Sequence, residues 1–192
     1  MKGNYIFLAD GFEEVEAIAT LDILRRGGVD AKTVSIYDNS LVEGAHGSQL
    51  ISDLSWEDFE EILNEDASAE DFLIFPGGMP GAKNLAEFTP LMDVLGEHYA
   101  AGGGVAAICA SPAVVLAAQG DMFKGSKMTC YDGFEATLAA AGITHVEAGS
   151  VVDGRIVTGR GPGYAPEFAL AILAQIKDRD TASAVAAGFT PR

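Results

Sequence analysis

The stretch that leaves this chain the fewest folds runs from Gly102 to Pro112: three glycines, then Val105-Ala-Ala-Ile108, then Cys109-Ala-Ser-Pro112. Four consecutive apolar residues, mostly small, read as a buried strand. Ser111-Pro112 opens an alanine-rich run, where Pro suits an early helix position. Cys109 therefore falls at a sharp strand-to-helix turn, the setting of a nucleophile elbow. A helix start there favours thiolate over thiol, because orphan N–H groups and the macrodipole stabilise negative charge. A buried structural cysteine is the alternative, since free cysteines are among the most buried residues. Position at the turn favours the nucleophile.

The rest of the chain alternates strands with helices. Asn4–Leu8 reads as a first strand. Glu13–Arg26 reads as a helix, acidic in its first turn, basic in its last and stopped by Gly27-Gly28. Ala31–Ile36 is a β-branched strand. Ser40–Ser55 holds at most a short edge hairpin. Trp56–Leu63 is a helix, and its acids Glu57, Asp58, Glu60 and Glu61 form a solvated face. Asp71–Phe75 is a buried strand that runs into the turn Pro76-Gly-Gly-Met-Pro-Gly81. Pro90–Ala101 is helical, and so is the run from Pro112 to Ala118 after Cys109. Lys127–Cys130 reads as a strand and Phe134–Ala141 as a helix. Val151–Thr158 is a hairpin across Asp153-Gly154. Tyr164–Lys177 is the last long helix, and the alanine-rich tail to Arg192 reads as one more. This alternation predicts an α/β fold, a parallel sheet sandwiched by helices, with ligands beyond the carboxyl ends of the strands.

Composition narrows the class. A chain of 192 residues is long enough for a full core and reads as a single domain over 1–192. No apolar run approaches a membrane span, and no basic segment precedes an apolar one at the start, so the expected location is the cytoplasm. A net charge of −16 argues against nucleic acid or an anionic membrane as partner and says little about a small neutral substrate. Two cysteines, Cys109 and Cys130, make neither a disulfide framework nor a metal-type spacing.

Three loops with special chemistry meet at the carboxyl edge: Asp10–Glu16, Gly77-Gly78 and Cys109-Ala110. The Gly77-Gly78 turn brings backbone N–H groups close to a reacting oxygen, since no Cβ intervenes. The N–H of Ala110 is the expected second oxyanion donor. Glu13 and Glu14 read as first-turn acids. Glu16 shares a helix face with Ala19, Thr20 and Ile23, which points it into packed structure. A buried carboxyl beside a thiolate has a raised pKa and donates a hydrogen bond to sulfur.

The segments Gly11-Phe-Glu-Glu-Val-Glu16, Leu21-Asp-Ile-Leu-Arg-Arg-Gly27, Phe75-Pro-Gly-Gly78, Gly81-Ala-Lys-Asn-Leu85, Ala106-Ala-Ile-Cys-Ala-Ser-Pro112 and Arg160-Gly-Pro-Gly163 resemble the ThiJ/PfpI superfamily in order over most of the chain. The resemblance is to the branch of the parkinsonism-associated protein deglycase and its bacterial relatives. It implies a flavodoxin-like three-layer sandwich with a mostly parallel sheet (class I glutamine amidotransferase-like), a homodimer, and no metal or organic cofactor. It implies Cys109 as the reactive cysteine, Glu16 as its protonated carboxyl partner, and the amides of Gly78 and Ala110 as oxyanion donors. The family's histidine is missing. Ala110 stands at one of its two positions and Tyr131 at the other, and a phenol is a poor base at neutral pH. His46 stands where the family often has a pocket arginine, and Ser111 replaces a glycine, reading as a cap for the helix that follows.

The remaining candidates keep two readings each. His46 is a replacement base if its loop folds over Cys109, and otherwise a solvated loop histidine. Arg160 contacts the site or makes a structural salt bridge. Cys130 is a resolving thiol or a buried spectator, and His98 and His145 read as surface or packing residues. With Gly77 and Tyr131, His46 and Arg160 complete the expected pocket. The expected function is a cysteine-dependent, cofactor-independent enzyme acting on small reactive carbonyls of the glyoxalase or deglycase type. The alternatives are a redox-responsive or chaperone-like protein oxidised at Cys109, and a cysteine peptidase or amidase that the missing histidine weakens.

Overall fold

The computed structural model describes residues 3–63 and 71–188. Its central sheet has six strands, β1 (Asn4–Leu8), β2 (Ala31–Ser35), β5 (Phe72–Phe75), β6 (Gly104–Ile108), β9 (Ser150–Asp153) and β10 (Ile156–Gly159), in the order β2-β1-β5-β6-β10-β9. All pair in parallel except β9, which runs antiparallel to β10 across the expected Asp153-Gly154 turn.

Alternate residues along the central strands serve two cores. Tyr5, Phe7, Leu73, Phe75, Val105 and Ala107 face one side, with Trp56 and Phe59 of α2 (Trp56–Leu63) and Leu91 and Leu95 of α4 (Thr89–Ala100). Ile6, Leu8, Phe72, Ile74, Ala106 and Ile108 face the other, with Ile23 and Leu24 of α1 (Glu14–Arg26) and Phe168, Ile172 and Leu173 of α6 (Ala165–Ile176). Burial on both faces explains why these strands read as unbroken apolar runs. The result is a flavodoxin-like α/β three-layer sandwich. From β1 the chain goes first to β2 on one side and later to β5 on the other. The gap between β1 and β5 is therefore the topological switch point, where ligands bind in open α/β sheets.

Several expected elements change at their ends or in kind. Ser40–Ser55 does contain a hairpin, β3 (Leu41–Glu43) with β4 (Gln49–Ile51), but it stands apart from the main sheet. A helix absent from the sequence reading, α3 (Gly81–Glu87), follows the glycine-rich turn directly. The helix expected after Cys109 is a five-residue π turn, Pro112–Leu116, followed by 3₁₀ structure over Ala117–Phe123 that is broken at Gln119 and Gly120. The strand expected at Lys127–Cys130 covers only β7 (Lys127–Met128), which pairs with β8 (Thr144–His145) in a separate two-stranded sheet. Phe134 precedes α5 (Glu135–Ala140), and Pro162–Tyr164 forms a 3₁₀ turn before α6. The tail helix is α7 (Arg179–Ala187), and residues 189–192 lie outside the described part. None of the described helices is long and apolar enough to cross a membrane.

His98 is a buried pin at the amino edge of the sheet. Its Nε2 lies 3.1 Å from the Asp71 carbonyl and 3.0 Å from that of Gly104, at the starts of β5 and β6. One N–H donates to both, which suits the neutral ring, and burial holds its pKa below the usual value. Below the unfolded-state pKa of about 6.5 the unfolded chain takes up a proton that the folded chain refuses. Stability supplied by His98 is thus present above that pH and lost as pH falls. In urea unfolding at pH 7 and pH 5, the wild type is expected to lose more stability than His98→Gln over the same interval.

Candidate active site

β6 ends at Ile108, and Cys109 turns the chain with φ +66°, alone among the described non-glycine residues in having positive φ. Such a conformation costs an L-residue on the order of 1–3 kcal/mol and persists only where neighbours impose it. Here they do. The Cys109 N–H donates to the carbonyl of Gly159 on β10 (2.9 Å), and its C=O accepts from the N–H of Tyr131 (2.8 Å). The side chain is therefore thrown off the carboxyl edge of the sheet, with 8% of the residue exposed.

Glu16, on the first turn of α1, is fully buried. Its Oε2 accepts the N–H of Gly77 at 2.7 Å. Its Oε1 has no hydrogen-bond partner among the described residues, and the side chain that interacts with the carboxyl is the Cys109 thiol. Gly77 fits because it has no side chain: a Cβ would lie 2.5 Å from the Cys109 Cβ and 2.7 Å from Glu16 Oε2. Gly78 has φ +89°, and a Cβ there would overlap the Gly11 carbonyl and approach the Glu13 nitrogen to 2.6 Å. The backbone N–H groups of Gly78 and Ala110 interact with the sulfur and favour its anion.

The electrostatics are those of two acids sharing a dry pocket. Burial raises the Glu16 carboxyl to about 7, against the pull of the Gly77 amide, and the charge of Glu13 adds to the rise. Burial likewise raises the Cys109 thiol to about 12, with the Glu16 charge adding, while the Gly78 and Ala110 amides oppose. Two anions cannot both persist there, so the pair keeps at least one proton near neutral pH. The helix start expected to favour thiolate is only a five-residue π turn. Stabilisation of negative charge on sulfur rests on the two amides.

The other expected pocket residues are held elsewhere or lie at the rim. His46, in the β3–β4 connection, pairs through Nδ1 with Glu14 Oε2 at 2.8 Å, and its N–H donates to Glu14 Oε1 at 2.8 Å. This bond and the Glu14 charge raise the His46 pKa. Partial burial works to raise Glu14, but the bonds from His46 prevail and hold it at about 2. The imidazole is thus engaged with Glu14 and not with sulfur. Arg160 makes the structural salt bridge, Nε to Asp132 Oδ1 at 2.8 Å. Tyr131 is half exposed and touches the site through its backbone. Cys130 is fully buried, and burial raises its thiol to about 11. His98 is the buried pin described above, and His145 lies within β8. Glu13, Glu14 and His46 bring ligand atoms within 4.8 Å of one another. Those atoms are already engaged, Glu13 capping the Glu16 N–H at 2.7 Å and Glu14 holding His46.

Ser111 was expected to cap the next helix. Instead it is fully buried, and its hydroxyl donates to the Pro76 carbonyl at 2.5 Å. Sequence reasoning missed this bond and the Gly159 carbonyl that receives the Cys109 N–H. Both partners are long-range, and a serine two positions after the cysteine was the one available signal.

A buried carboxyl with a raised pKa leaves a signature in stability. Between about 4.5 and 7 the unfolded chain ionises Glu16 while the folded chain keeps the proton, so stability falls as pH rises. The shift amounts to on the order of 3 kcal/mol. Glu16→Gln removes the titration and keeps an acceptor for Gly77. In urea unfolding at pH 4.5 and pH 7.5, the gap between variant and wild type is expected to widen in favour of the variant by about that amount.

The model of the DJ-1/PfpI family matches residues 4–175. Protein DJ-1 homolog B of Arabidopsis thaliana is 34% identical over 191 residues, 100% of this chain and 42% of that protein. The chain thus spans less than half the length of that relative. Glutathione-independent glyoxalase DJR-1.2 of Caenorhabditis elegans is 32% identical over 164 residues, 84% of this chain and 81% of that protein. The structure of oxidized DJ-1 from Toxoplasma gondii has a TM-score of 0.88 at 32% identity and covers 98% of both chains. The chain belongs to the DJ-1/PfpI family, in its DJ-1 branch.

Proposed function

We propose that the protein is a cofactor-independent enzyme that converts small 2-oxoaldehydes, of the glyoxal or methylglyoxal type, to hydroxy acids through Cys109. The observation that carries this reading is the pairing of one proton-holding carboxyl, Glu16, with one thiol under two convergent amides. The sulfur adds to the aldehyde carbon, and the N–H groups of Gly78 and Ala110 hold the oxygen as it becomes an oxyanion. The thiol proton passes to Glu16, whose pKa near neutrality suits it to take and return protons. Glu16 returns that proton to the new oxyanion and, ionised again, takes the former aldehyde C–H proton and delivers it to the neighbouring carbon, while the hydroxyl proton moves to that carbon's own oxygen. The aldehyde is thereby oxidised to a thioester and the ketone or second aldehyde reduced to an alcohol, with no outside electron acceptor. Water then releases the hydroxy acid and restores the thiol. The glyoxalase relative supports this substrate class. A glycated amine, whose repair begins with the same attack, belongs to the same reading.

Glyoxalase turnover by Cys109→Ala is expected to fall to background, and by Glu16→Gln at least about a hundredfold, the usual worth of a positioned acid or base. Turnover of methylglyoxal by Cys109→Ala at the wild-type rate would end this reading.

A second reading has its own support. A slightly exposed sulfur beside two amide donors is placed to be oxidised to sulfenic or sulfinic acid, and a related structure is that of an oxidized protein. Mild peroxide followed by mass spectrometry is expected to modify Cys109 well before the fully buried Cys130, and equal modification would remove any special status from the site. A peptidase or amidase has no such support, because among the described residues His46 is paired with Glu14 and no imidazole is bonded to the sulfur. We also infer a homodimer, for which Val15 and Ile18 on α1 and Ile51 on β4 offer exposed apolar side chains.

A further inference from the structure

We propose that Ser111 is a positioning residue: by holding the Pro76 carbonyl, it orients the Pro76–Gly77 peptide so that the opposite end of that peptide, the Gly77 N–H, clamps Glu16 against Cys109.

Three observations carry this. The Ser111 hydroxyl donates to Pro76 O at 2.5 Å across 35 residues of sequence, inside a fully buried environment. The N–H of the same peptide unit donates to Glu16 Oε2 at 2.7 Å. Cis geometry among the described residues occurs at Met79-Pro80 and not at Pro76-Gly77, so this peptide is trans, with its C=O and N–H on opposite sides of one rigid plane. Fixing the carbonyl end therefore fixes the direction of the N–H end. Glycine at position 77 makes such a fix necessary, because a residue without Cβ leaves the peptide on either side free to rotate. A hydrogen bond to the carbonyl also polarises the amide and strengthens its N–H as a donor.

Ser111 sits two residues after Cys109 on the turn that carries the nucleophile. One short segment thus places the sulfur directly and the carboxyl through the Gly77 peptide, and the two stay in register if the segment moves. The neighbouring Gly78 N–H, which interacts with the sulfur, hangs from the same clamped loop.

The test is a ¹³C NMR titration of the Glu16 carboxyl in the full-length protein labelled at glutamate Cδ, with the resonance assigned by its loss in Glu16→Gln. The Gly77 amide draws the Glu16 pKa down, so loosening that amide lets it rise. In Ser111→Ala the midpoint is expected to move up by at least about half a pH unit, a threefold gain in proton affinity. Ser111→Thr, which keeps the hydroxyl, is expected to titrate as the wild type does. If Ser111→Ala does not fold, Ser111→Gly serves in the same titration. An unmoved midpoint in the folded Ala or Gly variant, or an equal shift in Thr, overturns the inference. The inference rests on the pairing of Glu16 with Cys109 in the reading above, but the two fail separately. Undiminished turnover by Cys109→Ala would sink the enzyme and leave the titration standing.

Discussion

The burial of one carboxyl against one thiol is the constraint on which the rest of this molecule depends. Glu16 is fully buried, and among the described residues no cation acts on it. A charge in that position is costly unless something shares it, and what shares it is the Gly77 amide on Oε2 and the neighbouring Cys109 thiol. The pocket therefore holds a proton that can sit on either partner. That makes it a place for proton transfer, and it also makes the site a net cost to folding at neutral pH.

The framework around the pair resists that cost. Cys109 keeps its positive φ because both of its backbone polar groups are bonded to fixed neighbours, the Gly159 carbonyl and the Tyr131 amide. β6, which ends at Cys109, has all five residues buried between two helical layers and cannot shift without disturbing both cores. Glu16 is held from its own end, because Glu13 caps the Glu16 N–H and donates its own N–H to the Gly77 carbonyl at 3.0 Å. The Gly77 residue thus bonds at its N–H to Glu16 and at its C=O to Glu13. Loop, helix start and elbow form one hydrogen-bonded unit at the switch point of the sheet.

Much of this was legible beforehand. Unbroken apolar runs announced strands buried on both faces, and the helical phase of Glu16 with Ala19, Thr20 and Ile23 announced its burial. Other parts were not legible, for physical reasons. α3 begins with glycine immediately after a turn dense in glycine and proline, so local propensity argued against a helix that tertiary packing of Ala82 and Leu85 sustains. The Pro112–Leu116 segment has the composition of an α-helix yet winds as a π turn. His98 read as a surface or packing residue; it is a packing residue, and nothing in its sequence neighbours reveals that two strand-end carbonyls converge on it.

What the sequence by itself determined is the layer order and the identity of the central residues. Period and burial patterns are local properties, and a cysteine between a small apolar strand and Ser-Pro has few places to go. What only the tertiary structure decided is which partner each functional group takes. Ser111 gave its hydroxyl to a carbonyl 35 positions away and not to its own helix, and His46 went to Glu14 and not to sulfur. Hydrogen bonds form between groups that folding brings within about 3 Å, whatever their separation along the chain. A buried hydroxyl or carboxyl must take the partner it meets there, because none is available from water.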